Sequence, residues 1–399
     1  MPGSGKTFYI AGAGITGLTL ALALARFGAK VIVLERNAGI SEFGAGLQIS
    51  PNARLQLDRL GLGDAIASQS LEPAGIDIYP FRRPAPLVTL ELGAIMRQRF
   101  GSPYAVMHRA DLAEVLFKAT RRFANIEVLF GVRNWSAESH ERGVTLTIED
   151  AGGHTRTGRA HGLIGADGVH SQTRRTLLGG ADAQFAGRTA WRALLPFDAV
   201  ADHLALDRVS VLFAPGFHMV CYPLPHRRQV NIALFAKGQP APNASAPNLP
   251  ASARRSERLA ALLDAGKGTW ANWPLYTVTA PSWHTGNIAL AGDAAHAMVP
   301  FQAQGAAMGI EDAAVLAPLL ARHDTASAAF AQYERIRQPR VTRIARVSQS
   351  NGRIFHMNWP LGEARNLSIA AQGRQGHLKR LTWLYGHDAG LIPAASDAG

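Results

Sequence analysis

Gly12-Ala13-Gly14-Ile15-Thr16-Gly17 follows directly on the apolar run Phe8-Tyr9-Ile10-Ala11 and opens a stretch with helical periodicity. That helix puts Leu18, Ala21, Leu22 and Ala25 on one face and stops at Gly28, before a second apolar strand, Val31-Ile32-Val33-Leu34, that ends on Glu35. Strand, glycine turn, helix, strand and acidic residue in this order form a dinucleotide fingerprint. Gly12 permits the tight turn, Gly14 lets the backbone approach a pyrophosphate at the positive end of the helix, and Gly17 allows helix and sheet to pack closely. Glu35 is placed to accept ribose hydroxyls. The fingerprint alone does not separate FAD from NAD.

Gly3-Ser4-Gly5-Lys6-Thr7 imitates the end of a phosphate-binding P-loop, but it precedes a strand instead of following one, so it is dismissed. At 399 residues, 47% hydrophobic and 18% charged, the chain has globular composition, and no apolar stretch is long enough to span a bilayer. The formal charge of +12 is spread over scattered basic residues, the densest being pairs such as Arg121-Arg122 and Arg227-Arg228. That pattern argues against nucleic acid and for anionic small ligands, a dinucleotide and an acidic substrate. The single cysteine, Cys221, excludes an internal disulfide. With no secretory signal expected, the glycosylation pattern at Asn243 reads as chance and the expected location is cytoplasmic.

A helix is expected after Pro51, another from about Arg109 to Phe123, then strands at Ile126–Phe130 and Val144–Ile148 and the apolar Leu163-Ile164. Short alternating strands fill Ala190–Ala236, a Pro/Ala/Asn/Ser loop runs from Gln239 to Ala251, and Ile288-Ala289-Leu290 is again a buried strand. Long helical patterns follow from Gly305 to about Arg322 and from Ala326 onward, and Ala394–Gly399 is expected to be disordered.

Two distant segments bear on the choice of cofactor: Ile164-Gly165-Ala166-Asp167-Gly168-Val169-His170-Ser171 and Ile288-Ala289-Leu290-Ala291-Gly292-Asp293-Ala294-Ala295-His296. With Leu34-Glu35-Arg36, Gly44-Ala45-Gly46-Leu47-Gln48-Ile49-Ser50-Pro51-Asn52-Ala53 and His108-Arg109-Ala110-Asp111-Leu112, they resemble the signatures of class A FAD-dependent aromatic hydroxylases, the salicylate and 3-hydroxybenzoate hydroxylase group. The resemblance covers most of the chain. It implies an α/β fold in which a Rossmann-like FAD-binding domain (1–73, 101–185 and 280–345) is interleaved with an antiparallel-sheet substrate domain (74–100 and 186–279), followed by a C-terminal helical region and tail (346–399), as in p-hydroxybenzoate hydroxylase. By the same resemblance FAD is bound non-covalently by Gly12, Gly14, Ile15, Thr16, Gly17, Glu35, Arg36, Gly46, Gln48, Arg109, Asn134, Asp167, Gly292, Asp293, Gly305 and Ala306. Asp293 would hold the ribityl chain or ribose, Arg109 the pyrophosphate or ribityl region, and the amides of Gly305-Ala306 the flavin ring. Asp167 has two readings, cofactor contact or cap of a helix from Ser171. No second glycine fingerprint exists, which agrees with a family that binds NADH or NADPH transiently as co-substrate.

Period two places His218, Val220 and Tyr222 on one face of the strand His218–Pro223. The family's hydroxybenzoate and hydroxynicotinate hydroxylases carry a similar His-x-x-x-Tyr pair, which implies that His218 takes the phenol proton and Tyr222 positions the substrate, while the Pro300 carbonyl accepts from its hydroxyl. Gln48, where hydroxynicotinate hydroxylase has histidine, and Pro300, where 3-hydroxybenzoate 6-hydroxylases have glutamine, depart from those two activities. The expected function is an NAD(P)H-dependent monooxygenase that hydroxylates a phenolic or N-heteroaromatic substrate through a flavin hydroperoxide; the alternative is a reductase or dehydrogenase of the same fold without oxygen insertion. A homodimer is expected from the resemblance, and no metal site, because the histidines lack ligand spacing.

Overall fold

The computed structural model describes residues 1–40, 46–239 and 244–391. Gly44, Ala45, Asn243, part of the Gln239–Ala251 loop and the tail Ala394–Gly399 therefore lie outside the described residues.

The strand Thr7–Ala11 is central in a six-stranded sheet, between Gly162–Gly165 and Lys30–Leu34 and parallel to both. Ile126–Leu129 extends the sheet on one side, Ile288–Leu290 and then His284–Thr285 on the other. These strands read as continuous apolar runs because both faces are covered. Phe8, Ile10, Val31 and Val33 pack beneath the helix Ile15–Arg26, while Tyr9, Ala11, Ile32 and Leu34 meet Val144, Leu146 and Ile148 of a separate three-stranded antiparallel sheet. The alternation expected at Val144–Ile148 thus belongs to a layer of its own.

The helix Ile15–Arg26 is followed by Gly28 at φ 88°, as its sequence requires. A helix does begin at Pro51, running to Arg59, and another at Arg109, ending at Thr120. The helix Gly305–Arg322 lies against Ile15–Arg26 so closely that a Cβ on Gly309 would collide with the Thr16 hydroxyl. Lys6, the decoy lysine, donates its ammonium to the carbonyls of Leu320 (3.0 Å), Ala321 (3.1 Å) and His323 (2.6 Å). It caps the negative end of that helix and leaves the positive end aimed elsewhere.

The second large sheet has seven strands, in the order Ala271–Thr277, Gln184–Pro196, Gln229–Lys237, Phe217–Leu224, Val209–Ala214, Gly75–Tyr79 and Val88–Glu91. One face is closed by a core containing Leu195, Met219, Ile232 and Leu234 with Leu259 and Leu262 of the helix Glu257–Ala265. The other face carries three rungs set by register: Ala190, Phe235 and His218; Arg192, Ala233 and Val220; Leu194, Asn231 and Tyr222. Two helices, Ala326–Phe355 and Leu361–Tyr385, complete the described chain.

Candidate active site

A cavity of about 810 Å³ lies between the two sheets. It is walled by the glycine turn, with Gly12, Gly14, Ile15 and Thr16, by Glu35, Arg36, Arg109, Asp167 and Asp293, and by Gly46, Gln48, Pro300, Gly305, Ala306 and Tyr222. A single added Cβ would ruin this turn: Gly12 has φ 105°, and a Cβ on Gly17 would strike the Gly12 carbonyl oxygen. Gly17 is therefore a packing residue, off the cavity wall. Gly292 acts in the same way at φ 62°, where a Cβ would lie 2.5 Å from Thr16 Oγ1.

Glu35 partly serves the turn itself, since its Oε2 accepts from the Ala13 amide at 3.0 Å and its Oε1 from the Asn37 amide at 2.9 Å. Asp167 lines the cavity, yet both its oxygens are used locally. Its Oδ1 accepts from Ser171 Oγ at 2.5 Å, and its Oδ2 accepts from the Thr173 amide at 2.9 Å and from Thr173 Oγ1 at 3.0 Å. The helix it caps is one π-turn, Thr173–Leu177, held by the buried Arg174, which donates to the carbonyls of Ala181, Ala294 and Val169.

Asn134 is not brought to the cavity. Its neighbours Arg133 and Trp135 line it, and Asn134 is exposed with its Oδ1 accepting from the Trp135 amide at 2.9 Å. The alternation of an extended chain turns it outward.

His218 is also displaced from its expected place. It shares a sheet face with Val220 and Tyr222, which do line the cavity, but it sits one rung beyond, stacked on Phe235 at 4.7 Å and touched edgewise by Phe301 and Phe355. Phe235 forms the cavity wall in its stead. Burial, then His356 and Arg188, hold the His218 imidazole well below its ordinary pKa. Its Nδ1 is 2.6 Å from His356 Nε2.

Several wall residues escaped the sequence reading: Arg192, Asn231, Ala233, Phe235, Trp273 and Tyr276. The available signal was a lone arginine inside the apolar run Ala190-Trp191-Arg192-Ala193-Leu194-Leu195. Arg192 lies beside Tyr222 and Arg109 and 5.9 Å from the Trp273 ring, and among the described residues no carboxylate pairs with it. Burial pushes the Tyr222 phenol well above its ordinary pKa despite the opposing pull of Arg192, so it stays protonated as a donor. The Pro300 carbonyl accepts from the Ala303 amide at 3.0 Å, which leaves one lone pair for a ligand.

Beneath the cavity runs a buried ionic network. Asp312 accepts from the Gly292 amide (2.9 Å), from Arg337 Nε (2.8 Å) and from His296 Nε2 (2.7 Å). Burial opposes its charge, but His296 and Arg337 overcome this and hold the carboxyl far below its usual range. Its neighbour Glu311 binds Arg337, Arg340 and Asn52. The network ties the Pro51–Arg59 helix, the segment before Asp293 and the Gly305–Arg322 helix into one unit.

A turn that only bare glycines can make, an arginine and a carboxylate at its mouth, and a helix N-terminus at Gly305 fit an elongated pyrophosphate-bearing ligand with an anionic ring. A model of the FAD-binding domain family matches residues 6–348. The chain belongs to the FAD-binding aromatic hydroxylases. It is similar to 3-amino-4-hydroxybenzoate 2-monooxygenase of Streptomyces platensis, 34% identical over 392 residues with 96% of each chain covered. It is also similar to 3-hydroxybenzoate 6-hydroxylase 1 of Aquipseudomonas alcaligenes, 32% identical over 387 residues, covering 95% of this chain and 97% of that one. The fold matches a salicylate hydroxylase substrate complex (TM-score 0.77, 24% identity, 98% and 100% covered) and Klebsiella pneumoniae HpxO with FAD and uric acid (TM-score 0.80, 23%, 94% and 95%). The hydroxylase is thus a FAD-dependent monooxygenase of aromatic substrates, as expected from its motifs, and the reading without oxygen insertion falls away. Among the described residues no helix is long and apolar enough to cross a membrane.

Proposed function

We propose that this hydroxylase acts on a hydroxylated aromatic acid and takes its reducing equivalents from NADH or NADPH. The observation that carries the reading is Arg192, a largely buried cation in the cavity wall with no carboxylate partner among the described residues. A buried cation without an anion is costly, and an anionic ligand removes that cost. Bound FAD supplies the electron and oxygen-transfer chemistry.

The chain's own residues hold and shield the substrate. Ala233 and Val220 leave the floor of the chamber low enough for a ring, Phe235 and Trp273 offer faces to stack against it, and Tyr222 donates its hydroxyl. Arg192 beside Tyr222 gives the chamber one charged anchor and one neutral donor, which suits a carboxylate or phenolate and an adjacent polar substituent. The relatives that act on hydroxybenzoates and aminohydroxybenzoates support this class. Aromatic walls keep water from the reacting ring.

Anaerobic reduction of the FAD-loaded protein by NADH and by NADPH, across a panel of hydroxylated benzoic and pyridine carboxylic acids, tests the proposal. One acid accelerates reduction, and its product then carries oxygen from labelled dioxygen. If only uncharged phenols accelerate reduction, the acid assignment is wrong.

A further inference from the structure

His218, His356 and Arg188 form a hydrogen-bonded series behind Phe235, the residue that walls the chamber at this rung. His356 follows the last residue of the helix Ala326–Phe355, and its backbone carbonyl accepts from the Gly216 amide at 3.2 Å, which docks the helix end on the turn between Val209–Ala214 and Phe217–Leu224. Arg188, half-buried, reaches His356 Nδ1, and His356 Nε2 meets His218 Nδ1 at 2.6 Å. Behind His356 stand Lys237 and Arg365; His218 is otherwise enclosed by Phe235, Phe301 and Phe355.

The donor inventory orders the protons along this series. A guanidinium has only N–H donors and never gives one up in a protein, so His356 Nδ1 must accept. A neutral imidazole that accepts at Nδ1 carries its proton on Nε2 and donates there. His218 Nδ1 is then the acceptor, and the His218 proton is on Nε2.

We propose that Arg188 and His356 are positioning residues that lock His218 as the neutral Nε2–H tautomer. His218 is thereby a hydrogen-bond donor at its free nitrogen and has no lone pair there with which to take a phenol proton. The substrate anion is stabilised by Arg192 and Tyr222 instead of being generated by His218. This last consequence rests on the proposed function, whereas the tautomer is a property of the FAD-loaded protein without substrate.

The test is nuclear magnetic resonance of FAD-loaded protein labelled with nitrogen-15 histidine, with the His218 signals assigned by their loss in His218→Asn. Wild type is expected to show both rings neutral and protonated on Nε2 at neutral pH. Arg188→Met is expected to leave FAD content unchanged while His356 and His218 shift to mixed tautomers, and Arg188→Lys, which restores a donor, to return the wild-type pattern. A wild-type His218 protonated on Nδ1, or a spectrum unmoved by Arg188→Met, overturns the lock. If Arg188→Met does not fold, the wild-type and Arg188→Lys spectra still decide it. Should the tautomer be as stated while no aromatic acid is a substrate, it is the proposed function that fails and not the lock.

Discussion

The bare Cα of Gly46 packs against the ring of Tyr222, so tightly that a Cβ there would lie 2.5 Å from the Tyr222 hydroxyl oxygen. The Gly46 amide also donates to Asn231 Oδ1 at 2.8 Å, across the rung from Tyr222. Two strands of the cavity wall, Gly46–Ile49 and Phe217–Leu224, are thereby keyed together. Gly46→Ala should push the Tyr222 ring aside at an overpacking cost of about 1–3 kcal/mol. Hydroxylation should fall while FAD content holds; the checks are thermal unfolding, the flavin to protein ratio and product yield per NAD(P)H consumed.

Arg192→Met removes the chamber's charged anchor and keeps much of its bulk. A charge-assisted hydrogen bond contributes about 1.5–3 kcal/mol, so the affinity for a hydroxybenzoate should fall by about 10- to 100-fold. A matched phenol without the carboxylate should bind both proteins almost equally. Titration of the flavin absorbance with each ligand measures the difference.

Asp312→Ala leaves Arg337 short of a partner in a site with no access to water. Breaking such a pair typically costs about 3–5 kcal/mol. The loss of the Gly292 tether should also loosen Asp293, so FAD affinity should drop beyond what stability alone explains. Urea unfolding of apoprotein and FAD titration separate the two effects.

Acid should weaken the protein through His356. Burial first, then Arg188, Lys237 and Arg365, hold its pKa at about 3, against an ordinary value of 6.5. The unfolded chain therefore takes the proton first, and stability present above pH 6.5 is lost as pH falls toward 3. Between pH 7 and pH 5 this one group should cost about 2 kcal/mol. His356→Gln should unfold in urea with a flatter pH dependence over that window; an unchanged slope would remove His356 as its source.

Sequence pattern revealed the parallel sheet because its strands are buried on both faces and so read as unbroken apolar runs, and the glycine turn because only bare backbone fits there. The motifs at Asp167 and Asp293 were legible as motifs, though the hydrogen bonds that consume both Asp167 oxygens were left open as one of two readings. Hidden from sequence were the pairings between remote segments. Period two put His218 on the face of Tyr222, but only register shows that Phe235 stands beside it and forms the wall. Nothing local marks Asp312 or Arg337 as partners, and the strand Gly75–Tyr79 joins the large sheet next to Val209–Ala214 across more than a hundred residues. Asn134 lies off the cavity wall for a simpler reason, one step of strand alternation.

The walls of the cofactor end come from Gly12 through Ala306, so the segments that enclose it are far apart in the chain and adjacent only in space. On a ribosome the glycine turn emerges early, yet Asp293, the Gly305 helix and the buried arginines that brace them come much later. The nascent chain closes this wall only once the Gly305–Arg322 helix has been made, and the first strand, paired early with Lys30–Leu34, must wait for Gly162–Gly165 on its other side. Acquisition of the yellow colour is thus a direct optical report that these remote segments have come together.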